Sequence, residues 1–318
     1  MDAYGGRMAT IPSACKVSVV LPVLNEAANL PHVLNRIPEW IYEVILVDGQ
    51  SSDDSVAVAK QTWNKRFPRV TEMERWSGEA TTAPRSQPGN WPALHIVQQF
   101  GRGKGAALTT GFHTVRGDIV VMIDADGSTD PAEIPAFLGA LLSGADFAKG
   151  SRFLQGGGTA DMPLHRQVGN GLFVKIVRLL FGGRYTDLCY GFNAFWRWTL
   201  PILDLDGPGF EIETMMNVRA LQAGLKIAEV PSFESRRIYG EGRLRTVPDG
   251  WRVLKTIVRE WRSPRAKAGD WAQAERDDAH VPYPAPPPPA PLSAFLTQEA
   301  PIPFQSWEAD EVNDWVND

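Results

Sequence analysis

Short apolar runs alternate with amphipathic stretches through the first 124 residues of the chain. The apolar runs have the length of buried strands, and they span Val17 to Leu21, Val44 to Val47, Leu94 to Val97 and Gly117 to Ile123. The stretches between them predict helices from Asn25 (an N-cap candidate) to Arg36, from Asp54 to Arg66 and from Gly105 to Val115. This alternation predicts an α/β fold, with a single mostly parallel sheet sandwiched by helices.

The rest of the chain is organised less regularly. Residues 70–92 interrupt the alternation, and the Gly, Pro, Ser and Thr content of Trp76 to Trp91 predicts an inserted surface loop. From 146 to 235 short strands mix with helices, one of them at Glu211 to Ala223, and a last helix is predicted from Trp251 to Arg262. Nine prolines fall within 282–303, so residues 266–318 are predicted to form a disordered Pro-rich tail.

Charge is unevenly placed along the chain. The formal net charge is −5, but residues 266–318 alone carry two basic against ten acidic residues, which leaves +3 for residues 1–265. No acidic or basic block is long enough to indicate nucleic acid as a partner.

Compartment and membrane signals are few. Cys15 and Cys189 lie far apart, which argues against a disulfide framework or a cysteine metal site and fits a reducing cytoplasm. Residues 1–14 lack the apolar core of a signal peptide. Leu172 to Phe181 comes closest to a membrane span, and Lys175 and Arg178 interrupt it. We therefore predict a cytoplasmic protein that is soluble or peripheral to the membrane.

Four polar clusters follow the predicted strands, at residues 25–26, 48–53, 101–105 and 124–126. Because the carboxyl ends of parallel strands share one edge of a sheet, the clusters should converge there. Asp124 and Asp126 can hold a divalent cation through oxygen ligands and leave it open to a diphosphate, although a pair of this kind also occurs in solvated turns.

The glycine-rich cluster at 101–105 matches neither the P-loop nor the dinucleotide-binding spacing. It predicts a turn that opens a helix, and Lys104 beside it suits a phosphate at the helix N-terminus. A flexible turn without a ligand is the alternative.

Taken in order, these motifs resemble family 2 glycosyltransferases of the GT-A fold, above all the polyprenyl-phosphate (dolichyl-phosphate) hexosyltransferases. The motifs are Leu21-Pro22-Val23-Leu24-Asn25-Glu26, Val47-Asp48-Gly49-Gln50-Ser51-Ser52-Asp53, Gly101-Arg102-Gly103-Lys104-Gly105 and Asp124-Ala125-Asp126-Gly127. Further matches are Gly150-Ser151-Arg152, Asp187 before Gly191-Phe192, and Phe210-Glu211-Ile212-Glu213. The resemblance covers residues 16–262.

The resemblance implies a nucleotide diphosphate sugar as donor and Mg²⁺ or Mn²⁺ held by Asp124 and Asp126. The donor-binding residues that it implies are Pro22, Glu26, Asp48, Ser51, Asp53, Gly103, Lys104, Asp124 and Ala125. Gly49 stands where the family often has a second acid. Gly127-Ser128-Thr129-Asp130 resembles the glucosyl-type relatives, which favours UDP-glucose over GDP-mannose.

The chemical class of the acceptor determines which residues are needed to bind or activate it. A polyprenyl phosphate, with a second pKa near ~6, is largely anionic at neutral pH and needs cations rather than a base. The candidate cations are Arg152, Arg236, Arg237 and Arg243. A sugar hydroxyl needs a carboxylate base, which Asp187, Glu211 or Glu213 would supply. Relatives have an arginine followed by Gly-x-Ser-Lys near Arg237, and Gly242 replaces the serine of that motif here. Glu211 and Glu213 can also simply cap a helix.

A basic segment precedes the tail. Residues 236–265 hold nine basic and three acidic residues, and Trp251, Leu254, Val258 and Trp261 recur at helical spacing among them. A helix of this kind can lie on an anionic membrane surface, or it can pack on its own domain.

We therefore predict three parts: a flexible N-terminus (1–15), a GT-A domain (16–265) and the tail (266–318). The domain divides into a nucleotide-binding half (16–150) and an acceptor half (151–265). The expected function is inverting, metal-dependent hexose transfer to a polyprenyl phosphate. One alternative is the same chemistry on a soluble saccharide or metabolite, and another is a nucleotide-sugar-binding protein without catalysis.

Overall fold

The computed structural model describes residues 15–67, 70–75 and 92–263, and of residues 70–75 the backbone alone. Its main element is an eight-stranded sheet with the strand order β3-β4-β2-β1-β5-β8-β6-β9. These strands are β1 (Val17–Val23), β2 (Glu43–Asp48), β3 (Val70–Arg75), β4 (Ala93–Gln98), β5 (Ile119–Met122), β6 (Phe147–Ser151), β8 (Asn193–Trp196) and β9 (Ile227–Pro231). The short strands β7 (Gly158–Thr159) and β10 (Phe233–Glu234) pair with each other.

Eight α-helices lie in the described part of the chain. They are α1 (Leu30–Leu34), α2 (Ser55–Arg66), α3 (Lys104–Phe112), α4 (Ile134–Leu142), α5 (Leu164–Phe181), α6 (Leu200–Leu203), α7 (Ile212–Gln222) and α8 (Thr246–Arg262). None of the described helices is long and apolar enough to cross a membrane.

The sheet is mostly parallel, as the alternating pattern predicts. β1 pairs in parallel with β2 and β5, β2 pairs in parallel with β4, and all residues of β2 and β5 are buried. Only β8, inserted between β5 and β6, runs antiparallel to its neighbours in the described sheet. The carboxyl ends of β1, β2, β4 and β5 therefore share one edge, and the loops of the polar clusters leave the sheet there.

Helices pack on this sheet through two apolar clusters that fix the position of α7. In the first, Leu108 and Phe112 of α3 and Met216 of α7 meet strand residues such as Val20 and Phe195. The second joins α5, α7 and α8. Because α7 belongs to both clusters, its N-terminus is held firmly next to the start of α3.

Residues 70–75, for which the sequence predicts no element, form β3 at the edge of the described sheet beside β4. An edge strand needs no continuous apolar run, and this one, Val-Thr-Glu-Met-Glu-Arg, is too polar to be recognised by burial periodicity. Residues 76–91 lie outside the described residues.

The predicted helix from Asn25 to Arg36 is wrong in its N-terminal half. Asn25 has a left-handed backbone with φ of +52°, and the helix α1 begins at Leu30 and is five residues long. Pro31 lies in its first turn, where the missing amide is tolerated. At the other end of the domain, α8 begins at Thr246, five residues before the predicted start. The predicted tail and residues 1–14 of the predicted N-terminus lie outside the described residues.

Candidate active site

The loops after β1 and β2 are joined to each other through hydrogen bonds. Three consecutive amides of the first loop donate to side chains of the second: Asn25 N to Ser51 Oγ at 2.9 Å, Glu26 N to Ser55 Oγ at 2.8 Å and Ala27 N to Asp53 Oδ2 at 3.1 Å. Ser51 and Asp53, both expected to contact the donor, thus use oxygen atoms to shape the loop beside them.

The glycine-rich turn is tied to the end of β2 through Gln99. Asp48 ends β2 as a buried residue and accepts a hydrogen bond from Ser51 N at 3.1 Å. The Gln99 amide donates to the Asp48 carbonyl at 2.9 Å, and Gln99 Nε2 donates to the Gly103 carbonyl at 2.9 Å. Pro22, another expected donor contact, lies in β1 opposite Val47. All four motifs of the nucleotide-binding half therefore meet at one edge.

Close backbone approach brings α7 against the glycine-rich turn. Gly103 starts α3 with φ of +96°, and a side chain there would collide with the Pro208 carbonyl oxygen. A side chain at Gly105 would collide with the Gly207 carbonyl oxygen. Glycine at these two positions thus lets the segment before α7 pack directly on the start of α3.

Lys104 bridges two carboxylates at the centre of the site. Its Nζ lies 2.6 Å from Asp124 Oδ1 and 2.8 Å from Glu213 Oε1. Burial alone would lower the pKa of Lys104, but the two carboxylates raise it well above its usual value, so the side chain stays charged. Burial raises the pKa of Glu213, and Lys104 offsets part of that rise. The Lys104 ammonium thus holds together Asp124, predicted on the donor side, and Glu213, predicted on the acceptor side.

A second cation, Arg237, bridges Glu26 and Asp126. Its guanidinium lies 3.2 Å from Asp126 Oδ2 and also pairs with Glu26 Oε1. The segment 235–239 is fixed over the loop of Asp126 by backbone contacts, with Ser235 N donating to the Ser128 carbonyl and Ile238 N to the Asp126 carbonyl. The structure therefore brings Arg237, expected on the acceptor side, to the Asp124-Ala125-Asp126 motif. Ala125 is buried between the two acids.

Asp187 and Arg152 lie deeper and bind each other. Arg152 Nε lies 2.7 Å from Asp187 Oδ2, and its other nitrogens reach Asp187 Oδ1 and Glu234 at 3.0 Å. Although burial alone would raise the pKa of Asp187, these bonds hold it below its usual range. Both side chains are buried. The structure therefore does not bring either of them to the surface of the cleft, where a base or a phosphate-binding cation would act.

The remaining acceptor-side residues are placed differently from one another. Glu211 is buried, accepts a hydrogen bond from Gly209 N at 3.0 Å through Oε1, and its Oε2 has no hydrogen-bond partner among the described residues. Arg236 is exposed and donates to the Ala160 carbonyl at 3.3 Å. Arg243 is exposed as well. Glu211 is thus the predicted acid that keeps an unpaired oxygen.

Several contacts of the site are not indicated by any sequence motif. Asn29 accepts a hydrogen bond from Tyr239 N at 2.9 Å and donates to its carbonyl at 3.1 Å, which ties segment 235–239 to α1. The Phe210 ring lies 5.9 Å from Lys104 Nζ. Lys149 is fully buried and donates to the carbonyls of Gly150 and Tyr190. The contacts of Asn29 with Tyr239, of Lys104 with Phe210 and of Lys149 with Tyr190 join residues far apart in the chain, so spacing along the sequence could not have found them.

A divalent cation fits the two carboxylates of the Asp124-Ala125-Asp126 motif. Their side chains are 29% and 22% exposed, and each one already attracts a positive group of the protein, Lys104 and Arg237 respectively. Among the described residues no third Asp, Glu, His or Cys completes a metal-binding cluster. A cation there would thus take two ligands from the protein and the rest from phosphate and water, which suits Mg²⁺ or Mn²⁺.

Comparison with known proteins gives a family match. Residues 18–198, more than half of the chain, match the model of the family described as glycosyl transferase family 2. The low-salt glycan biosynthesis hexosyltransferase Agl6 of Haloferax volcanii is 31% identical over 248 residues, which are 76% of this chain and 53% of that protein. The chain thus spans about half the length of that relative.

Another relative matches over most of its own length. The polyprenol monophosphomannose synthase of Mycolicibacterium smegmatis is 30% identical over 248 residues, covering 76% of this chain and 85% of the relative. Among solved structures, the glucosyl-3-phosphoglycerate synthase of Mycobacterium tuberculosis, in complex with Mn²⁺, UDP and glucosyl-3-phosphoglycerate, superposes with a TM-score of 0.54 at 20% identity. That superposition covers 80% of this chain and 82% of the other, and it confirms the predicted GT-A fold.

Proposed function

The chain belongs to glycosyl transferase family 2, and from this membership we propose that it transfers a hexose from a nucleotide diphosphate sugar to a polyprenyl phosphate. The transfer inverts the anomeric carbon in one in-line displacement. The acceptor class is supported by the relative named polyprenol monophosphomannose synthase, which this chain matches over 85% of its length.

The pairing of the acceptor-side acids is the observation that carries this proposal. Asp187 is bound by Arg152 on both oxygens, and Glu213 is bound by Lys104. A sugar hydroxyl would need one of these carboxylates as a free base, whereas a phosphate, largely ionised near neutral pH, needs none. Two of the three candidate bases are thus engaged by cations, which favours an acceptor that is already anionic.

On the donor side, the loops at 25–27, 48–53 and 101–105 form the nucleoside and diphosphate site. Asp48 accepts from the base or ribose, while Ser51 and Asp53 hold the adjoining loop. Gly103 and Lys104 lie at the N-terminus of α3, where backbone amides and the positive end of the helix favour phosphate. Lys104, charged and partly exposed, neutralises negative charge on the leaving diphosphate.

Asp124 and Asp126 would hold Mg²⁺ or Mn²⁺. The ion would neutralise charge on the leaving nucleoside diphosphate. Arg237, now on Asp126, lies close enough to contact phosphate oxygens at the same place. Arg236 and Arg243 are exposed at the acceptor side and would attract the acceptor phosphate from outside the cleft. Arg152 orients Asp187 and Glu234 rather than binding the phosphate itself.

The donor is either UDP-glucose or GDP-mannose. The motif Gly127-Ser128-Thr129-Asp130 favours glucose, whereas the relative's name, with its phosphomannose product, favours mannose. Sugar selectivity depends on a few contacts in the pocket, so the assay below decides between the two.

A transfer assay tests the proposal. The full chain is incubated with radiolabelled UDP-glucose or GDP-mannose, Mg²⁺ or Mn²⁺ and a long-chain polyprenyl phosphate, and label in the organic phase is counted. We expect label to move with one donor, and not in EDTA. Asp124→Ala and Asp126→Ala should each lower turnover by at least about 100-fold, because each removes a ligand of the charge-neutralising ion. Asp161→Ala, which removes an exposed acid outside these motifs, is the control.

Two outcomes would contradict the proposal. Full activity of both alanine variants in excess chelator excludes the metal role of the motif. Donor hydrolysis without labelled lipid points instead to a soluble acceptor, and a saccharide or a small phosphorylated metabolite would then be tried as the acceptor.

A further inference from the structure

The helix α8 carries two apolar faces. Val253 and Ile257 are buried and pack it on its own domain. On a different face, Val247, Trp251 and Trp261 are each more than half exposed, at 80%, 57% and 53%. A surface helix needs one apolar face for packing, so the second face is left without a partner among the described residues. The sequence predicts one apolar stripe, which either lies on a membrane or packs on its own domain. In the structure, different faces of α8 carry the buried and the exposed apolar side chains.

The helix α5 also exposes an apolar face. Val168, Leu172 and Leu179 recur at intervals of four and seven residues, and more than half of each side chain is exposed, up to 83% for Leu179. The opposite face, with Asn170 and Val177, is the buried one. Exposed leucines occur singly on most proteins, whereas a row along about three turns of a helix indicates a contact surface.

The two exposed rows lie on neighbouring helices. A Cβ on Gly250 of α8 would lie 3.8 Å from the Phe173 ring of α5, so their sequence neighbours Trp251 and Leu172 flank the same seam. Arg166, near the start of α5, donates to the Leu244 carbonyl at 2.9 Å, just before the start of α8. The two helices therefore begin at the same end. We call the six side chains Val168, Leu172, Leu179, Val247, Trp251 and Trp261 the α5–α8 apolar face.

The exposed charges carried by α5 and α8 themselves have one sign, although Arg259 of α8 pairs with the exposed Asp206. The exposed cations on the two helices are Lys175, Arg178, Arg252, Lys255, Arg259 and Arg262. α5 contains no acidic residue, and both acids of α8, Asp249 and Glu260, are buried. A second copy of this chain would bring these cations against each other. A bilayer with anionic lipids would accept the apolar side chains and attract the cations.

We propose that the α5–α8 apolar face docks the protein on an anionic membrane surface. Tryptophan suits the boundary between headgroups and acyl chains, and the leucines and valines enter the acyl region beside it. The proposal extends the proposed function, because a polyprenyl phosphate acceptor resides in the membrane. Arg166 and Leu244 place the start of both helices near Arg236 and Arg243, so docking holds the acceptor-side cations at the lipid surface.

Vesicle flotation tests the docking face without any acceptor. The full chain is mixed with vesicles of phosphatidylglycerol and phosphatidylcholine, or of phosphatidylcholine alone. Two triple variants are compared with the parent: Leu172→Ser with Leu179→Ser and Trp251→Ser, and Lys175→Glu with Lys255→Glu and Arg262→Glu. We expect each to bind the anionic vesicles at least about tenfold more weakly. Lys16→Glu with Lys60→Glu and Lys65→Glu changes the net charge equally and should weaken binding less than about twofold.

The proposal is overturned if the parent chain stays off anionic vesicles at low salt, or if the control triple loses as much binding as the variants. It is also overturned if the serine variant turns a dimer into a monomer while vesicle binding is unchanged. A water-soluble short-chain isoprenyl phosphate separates this proposal from the proposed function. The docking variants should transfer sugar to it at the parental rate, and vesicle binding without transfer to any isoprenyl phosphate would leave the docking face standing alone.

Discussion

At the residue scale, Lys104 decides whether two carboxylates can lie side by side. Asp124 and Glu213 both lie within 2.8 Å of its ammonium, in a largely buried setting where like charges repel strongly. The same ammonium lies at the start of α3, where the phosphates of a donor would bind. A single side chain thus serves both the packing of α7 on α3 and the charge balance of the site.

Lys104→Met should therefore lower kcat/KM for sugar transfer by roughly 100-fold and weaken nucleoside diphosphate binding, because the ammonium that neutralises the diphosphate charge is lost. Turnover and calorimetric titration with the diphosphate measure the two effects. Lys65→Met removes an exposed lysine from α2 and serves as the control. If Lys104→Met keeps activity within about twofold of the parent, Lys104 does not act on the leaving group.

Residue identity could be predicted at this scale, but residue partners could not. The sequence predicts Ser51 and Asp53 as donor contacts, and both lie at the expected edge, yet they bind amides of the neighbouring loop. It assigns Arg237 to the acceptor, and the structure pairs it with Glu26 and Asp126. The loop partners are 26 residues apart, and the partners of Arg237 are 111 and 211 residues away from it, so their pairing depends on tertiary packing that no local pattern encodes.

At the element scale, one buried ion pair links α7, which carries Glu213, to α8. Arg219 Nε lies 3.0 Å from Glu260 Oε2, and its NH2 group lies 2.9 Å from Oε1. Both side chains are almost fully buried, and Arg219 also donates to the Leu203 carbonyl. This geometry holds the register between the helix of the active site and the helix of the proposed membrane face.

Arg219→Met should lower the free energy of unfolding by about 3–5 kcal/mol, since it leaves the Glu260 carboxylate buried with its main partner gone. Denaturant unfolding measures the loss. Arg259, the other arginine that pairs with Glu260, has a half-exposed side chain. Arg259→Met should therefore lower the free energy of unfolding by only about 0–1 kcal/mol. The double variant Arg219→Met with Glu260→Gln should recover part of the stability. Equal costs for the two arginine variants would contradict a structural role specific to Arg219.

Strands could be predicted from the sequence where both faces of the strand are buried. β2, β4 and β5 are continuous apolar runs, and the predicted runs match them to within two residues at each end. The edge strand β3 and the turn before α1 were missed for opposite reasons. β3 is polar and lies at the end of the strand order among the described residues. Residues 25–29 have helical composition, but the amides of residues 25–27 bind the next loop.

At the scale of the whole molecule, charge is divided between a basic docking surface and an acidic C-terminal region. Residues 266–318 carry −8 and residues 1–265 carry +3. An anionic bilayer attracts the exposed cations of α5 and α8 and repels the acids of residues 266–318. The proposed docking of the α5–α8 apolar face would therefore be opposed by the acids of residues 266–318.

Neutralising four of these acids, with Glu308→Gln, Asp310→Asn, Glu311→Gln and Asp314→Asn, changes the net charge from −5 to −1 and leaves residues 1–307 intact. At about 10 mM salt the Debye length is about 30 Å, so the lost repulsion should raise affinity for phosphatidylglycerol vesicles roughly threefold to tenfold. At about 1 M salt the gain should vanish, because charges more than about 3 Å apart are then screened. Binding to phosphatidylcholine vesicles is the control and should not change. Equal affinity of the two chains at low salt would mean that these four acids do not weaken binding to the bilayer.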